Sequence, residues 1–128
     1  MQAFLDSSAV VALFLGEPAM ERVSAALEPV RRAIATPLLE AEVRAVAARE
    51  RMPAEADIFW WLSWVAPPRS LEAEISRVLA AGLLRGADCW HLAVALWVAP
   101  DPAELLFLTL DDRQREVAAA LGFPVGPA

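Results

Sequence analysis

At 128 residues the chain fits one domain of the usual roughly 100–200 residues, and a domain of this size buries about two thirds of its unfolded surface, so it excludes any need for a disulfide or metal staple to fold. The net charge is −6 and all eleven basic residues are arginines, which excludes a basic coat for nucleic acid but not a nuclease, because a carboxylate cluster that binds cations is itself negative. Hydrophobic residues make up 58%, above the roughly 45–50% of an average soluble protein, and a homo-oligomer interface is the simplest use of the surplus.

Taken in chain order, residues 2–5 predict a short strand, and Ser7 to Leu15 a helix ended by Gly16 and Pro18. Residues 19–27 predict a second helix, stopped near Pro29. Residues 32–35 are a weak candidate strand. Thr36-Pro37 then opens a helix with proline at its first position, running to about Arg51. A further helix is expected after Pro53, through the tryptophan-rich IFWWLSW. Past Pro67-Pro68, Ser70 is placed to cap a helix reaching about Ala81. The stretch ADCWHLAVALWVA predicts a helix closed by Pro100 and Pro102. ELLFLTL reads as a strand, DDRQREVAAALG as a helix ending on glycine, and FPV as a last short strand. Strands alternating with helices predict a single three-layer α/β/α domain around a central, mostly parallel sheet.

Four acids stand out against this frame. Asp6 ends the first strand and opens a helix, where it also has an ordinary use as an N-cap, with Ser7 and Ser8 competing for it. Asp111 occupies the same kind of junction after ELLFLTL and forms a capping box with Gln114. Glu42 is different. At 3.6 residues per turn it falls inside the stripe of Leu38, Leu39, Val43 and Val46, whereas Glu40 lies on the opposite face as a surface partner for Arg44. Asp88 shares a face with Leu92, Ala95, Leu96 and Ala99, its ordinary use being a cap after Gly86 or a pair with Arg85. Each of these acids alone has a bland account.

Together they do not. In an open parallel sheet ligands bind beyond the carboxyl ends of the strands, and inward-facing carboxylates need a partner or a metal. Converging carboxylates repel by about 4 kcal/mol per pair at 4 Å and an effective dielectric of 20, so they must hold protons or a hard cation. All-oxygen ligation suits Mg²⁺ or Mn²⁺ over zinc. Such a cage activates water for in-line attack on a phosphodiester. A metal-dependent nuclease is the expectation that results.

The motifs DSS, LLEAEVRA, ADCWHLAVAL and FLTLDDR, in that order over nearly the whole chain, resemble the PIN-domain ribonucleases and within them the VapC-like toxins of toxin–antitoxin pairs. The resemblance implies that Asp6, Glu42, Asp88 and Asp111 form the acidic metal site. It matches Ser8 and Thr109 to the small hydroxyls beside the first and last acids, with Asp112 able to substitute for Asp111. It further implies a homodimer, an RNA substrate cut to a 3′-hydroxyl and a 5′-phosphate, and a cognate antitoxin that covers the site.

RNA also needs cations for its phosphates. Arg113 and Arg115 lie just past the last acid, and Arg44, Arg49, Arg51 and Arg85 are further candidates for the approach. His91 is expected as a packed imidazole and Cys89 as a small core residue. Trp60, Trp61 and Trp64 are expected in core or interface packing, and Trp90, Val94 and Trp97 as a second apolar face of their helix. Two other functions compete. An aspartate-nucleophile phosphatase would need a second Asp where Ser8 stands. A non-catalytic PIN-like binding module would use its acids only for a structural ion or to sequester a partner protein. The lone Cys89 suits a reducing compartment. The lack of a basic leader before the interrupted apolar start, and of any run long enough to span a bilayer, makes a cytoplasmic location without membrane association the expectation.

Overall fold

A computed structural model describes residues 1–53 and 56–128. Among these residues five parallel strands form one sheet: β1 (Gln2–Leu5), β2 (Arg32–Ala35), β3 (Leu62–Trp64), β4 (Leu105–Leu108) and β5 (Val125–Gly126), in spatial order β3-β2-β1-β4-β5. Six α-helices connect them: α1 (Ser7–Leu15), α2 (Met20–Leu27), α3 (Pro37–Arg49), α4 (Glu72–Ala81), α5 (Gly86–Val98) and α6 (Asp112–Leu121).

The strands are buried on both faces, and the period of two in a strand sorts their side chains between two cores. Ala3, Leu5, Ala33, Ala35 and Leu108 point to one face, where Ala9, Val10, Val23, Leu39 and Val43 of α1, α2 and α3 cover them. Phe4, Ile34, Leu105 and Phe107 point to the other, under Val78, Leu92, Leu96 and Val117 of α4, α5 and α6. Phe4 and Phe107 pair directly across β1 and β4 and stack at 5.6 Å. Successive strands step outward from β1 to β3, then return to β4 on its other side, so the winding reverses between β1 and β4. That is the switch point at which a parallel sheet opens a crevice.

The helices Ser7–Leu15, Pro37–Arg49, Gly86–Val98 and Asp112–Leu121 fall where the sequence places them, as do strands β1, β2 and β4. Gly16 and Gly122 end their helices at positive φ, +66° and +104°, which glycine adopts without the Cβ penalty. The tryptophan-rich segment departs from expectation. Residues 54–55, where its helix was expected to begin, lie outside the described residues. Beyond them a 3₁₀ turn (Ala56–Phe59) leads to β3, which pairs in parallel with β2 through Ala33↔Leu62 and Ala35↔Trp64. Aromatic residues suit a half-buried pleated edge better than a helix, and along this edge strand burial falls from Leu62 through Ser63 to the exposed Trp64.

Ser70 does not cap α4. Leu71 occupies that position without a side-chain bond, while Arg69 reaches over the first turn to Glu74 at 2.6 Å. The second face of α5 is core rather than free surface, with Val94 fully buried and Trp90 and Trp97 packed against the same cluster. Cys89 is buried there too, and burial pushes its thiol pKa up, leaving it unreactive. Trp61 anchors its indole N–H on the Ile58 carbonyl at 2.9 Å, whereas Trp60 is 82% exposed. No single helix among the described residues is long and apolar enough to cross a membrane.

Candidate active site

Asp6 leaves β1 in extended conformation and caps α1. Its Oδ2 accepts from the Ser8 amide at 3.1 Å and the Ser8 hydroxyl at 2.7 Å, with the Thr109 hydroxyl at 3.3 Å. Its Oδ1 is buried and has no hydrogen-bond partner among the described residues. Asp111 leaves β4 in the same way and caps α6, its Oδ1 accepting from the Gln114 amide at 2.8 Å. The two strand ends are sewn together by hydroxyls: Ser8 Oγ accepts from the Leu110 amide at 2.9 Å and lies 3.3 Å from Thr109 Oγ1, which accepts from the Asp111 amide at 3.1 Å.

Gln114 extends this network. The capping box expected of Asp111 and Gln114 forms only in its first half. The Gln114 side chain, fully buried, instead accepts the shorter branch of the Thr109 hydroxyl's shared hydrogen bond at 2.7 Å, the longer branch going to Asp6, and donates to the Asp88 carbonyl at 3.2 Å, tying the start of α5 to β4. Sequence reasoning gave Gln114 only a capping role and missed this bridge. The signal was present, since Gln114 lies in the stripe of Val117, Ala118 and Leu121, the same argument that singled out Glu42.

Asp6, Ser8, Asp88 and Asp111 line one cleft of about 720 Å³, with Arg22 and Arg85 on its walls. A further hollow of about 520 Å³ shares Arg85, Asp88 and Asp111 and reaches Leu83 and Arg113. Glu42 stands beside the cleft, one turn before the cleft-lining Val46, with its Oε1 2.7 Å from the buried Nε2 of His91. His91 is thus a packed imidazole with a specific partner. Asp112 turns away: its side chain is 90% exposed and meets Arg115 at 3.3 Å, so Asp111 is the acid that faces the cleft. Arg115 is committed elsewhere, donating to the Thr109 carbonyl at 2.7 Å. Its place on α6 aims it back at the end of β4 rather than at the cleft. Arg113 stays at the rim, bonded to the Leu83 carbonyl and to Glu116 at 3.3 Å each.

Three acids share one pattern. Asp6, Glu42 and Asp111 each have one carboxylate oxygen held by donors and the other without a hydrogen bond among the described residues. Asp88 has neither oxygen held, and no ion pair joins it to Arg85 among the described residues. Its pKa is raised, first by burial and then by the charges of Asp6 and Asp111, with a smaller push from Glu42 and an opposing pull from His91. The sign follows directly. A carboxyl whose folded pKa lies above its unfolded value costs stability when ionised, and the cost is relieved as pH falls through the folded pKa. Asp88→Asn is therefore expected to melt a few degrees higher than the parent at pH 7 in EDTA. The gap should narrow toward pH 4, which paired melting curves would show; a variant less stable than the parent at pH 7 would contradict the assignment.

The donor set is all-oxygen and anionic, and the orphaned Oδ1 of Asp6 is the kind of buried atom a cation satisfies. Among the described residues no three His, Cys, Asp or Glu side chains are gathered closely enough to hold a metal ion by themselves. Mg²⁺ does not require it, since it keeps several waters and commonly takes only one or two carboxylates.

A parallel three-layer sheet that brings carboxylates from two strand ends and a helix start to its switch point defines an α/β domain of nuclease type. The chain belongs to the PIN-domain family, whose model matches residues 3–120. No curated protein matches it.

Proposed function

We propose that this PIN domain is a Mg²⁺- or Mn²⁺-dependent endoribonuclease and the toxin of a toxin–antitoxin pair. The observation that carries the reading is the bare Oδ1 of Asp6, buried in a cleft shared with Asp88 and Asp111. Asp6, Asp88 and Asp111 would hold the ion, with Glu42 at its flank. The bound cation supplies Lewis acidity, activating water and offsetting charge on the phosphoryl group. Ser8 and Thr109 keep Asp6 in one orientation and Gln114 keeps Asp88's helix in register with β4. Arg22 and Arg85 on the walls and Arg113 at the rim offer phosphate contacts along the two joined hollows. The order of the four motifs supports the toxin role, and the exposed Trp60 and Leu83 provide apolar surface for an antitoxin or a second copy.

A non-catalytic PIN-like module is the second reading, favoured by the absence of a closed three-acid group among the described residues. The deciding experiment is RNA cleavage by the purified, antitoxin-free protein in Mn²⁺, in Mg²⁺ and in EDTA. Cutting is expected with either cation, leaving 5′-phosphate ends, and none in EDTA. Equal cutting in EDTA would overturn the metal mechanism. Metal binding without cutting of any RNA would establish the second reading.

A further inference from the structure

His91 is fully buried, yet it carries two polar nitrogens that must be satisfied. Its Nε2 lies 2.7 Å from Glu42 Oε1 and its Nδ1 lies 3.4 Å from the hydroxyl of Thr36, also fully buried. A carboxylate only accepts, so Nε2 carries a proton, and Nδ1 faces the Thr36 hydroxyl. The ring is fixed edge-on by Phe4 at 6.3 Å and Trp90 at 6.1 Å. A line of contacts therefore runs from the end of β2 through α5 to Glu42 on α3.

That line has a consequence for the cleft. Glu42 is repelled by Asp88, and an untethered glutamate would swing into solvent. His91 holds Oε1 and leaves Oε2 without a hydrogen bond among the described residues, as Ser8 does for Asp6. We propose that His91, braced by Thr36, is a positioning residue that presents Glu42 to the cation as a ligand through one oxygen. The inference rests on the metal-dependent reading above. Partners of this kind orient metal-binding carboxylates, and their loss costs about 10–100-fold in metal affinity or activity.

The test contrasts two polar replacements in the full chain. His91→Gln keeps an N–H where Nε2 sits, whereas His91→Asn does not reach Glu42. A merely structural role is served by both or by neither. Mn²⁺ affinity is read by titration calorimetry without RNA, alongside kcat and KM for cleavage. His91→Asn is expected to bind Mn²⁺ about 10–100-fold more weakly and to lose kcat with KM unchanged, while His91→Gln stays close to the parent. Equal Mn²⁺ affinity in parent and His91→Asn overturns the inference. If His91→Asn does not fold, Thr36→Val decides: a loss of Mn²⁺ affinity is expected and an unchanged value overturns the inference. A parent that binds no Mn²⁺ and cuts no RNA overturns the nuclease reading itself, and this inference with it.

Discussion

Asp6→Asn is expected to abolish RNA cleavage while leaving the fold intact. The loss should be at least about 10²–10³-fold, because a catalytic cation contributes several kcal/mol of transition-state stabilisation and each 1.36 kcal/mol is a decade in rate. Stability should hardly change. Asparagine caps a helix about as well as aspartate, and its carbonyl oxygen can take the Ser8 amide and hydroxyl bonds that Oδ2 now accepts. What the substitution removes is negative charge at a buried oxygen that has no hydrogen-bond partner among the described residues. Parallel preparations of both proteins, assayed for cutting in Mn²⁺ and for thermal melting, separate this from simple unfolding. A folded Asp6→Asn protein that still cuts would sink the metal mechanism and return Asp6 to the role of a cap.

The largest expected loss of stability lies beneath the site. Phe107 on β4 is fully buried, stacks on Phe4 at 5.6 Å and tilts against Phe123 at 5.9 Å. Phe107→Ala removes the ring that joins β1, β4 and the C-terminal segment, and the protein interior does not close up around such a void. The cost is about 3–5 kcal/mol, a large part of a total stability of roughly 5–15 kcal/mol. In urea, with m of roughly 1–3 kcal/mol/M, the midpoint should fall by more than about 1 M at unchanged slope. A loss under about 1 kcal/mol would mean that the ring is not packed as described.

Strand–turn–helix units were legible in the sequence because several signals agree there. At Asp6 and Asp111 an apolar run, a capping carboxylate and a helical stripe follow one another, and both junctions form as expected. β3 was not legible, since a three-residue edge strand is too short to reveal a period, and its pairing with β2 is a tertiary fact. The same division holds in the cleft. Acids could be found one at a time, by asking which carboxylate lies on an apolar stripe. Their holders could not, because His91 meets Glu42 and Gln114 meets Asp88 across separate helices whose relative register no local pattern records. Arg115 shows the reverse error: closeness in sequence to Asp111 suggested the cleft, but its place on α6 turns it to the Thr109 carbonyl.

The contact between the Ser8 and Thr109 hydroxyls joins positions 101 residues apart. During synthesis Asp6 can cap α1 as soon as that helix is made, but its neighbours on β4 follow only after α5. Until then there is no cleft, and a truncated product ending before β4 carries Asp6, Glu42 and Asp88 without Asp111 or the hydroxyl of Thr109. Stitching the cleft from β1 and β4 makes it a property of the assembled sheet, and no fragment that lacks either strand carries it.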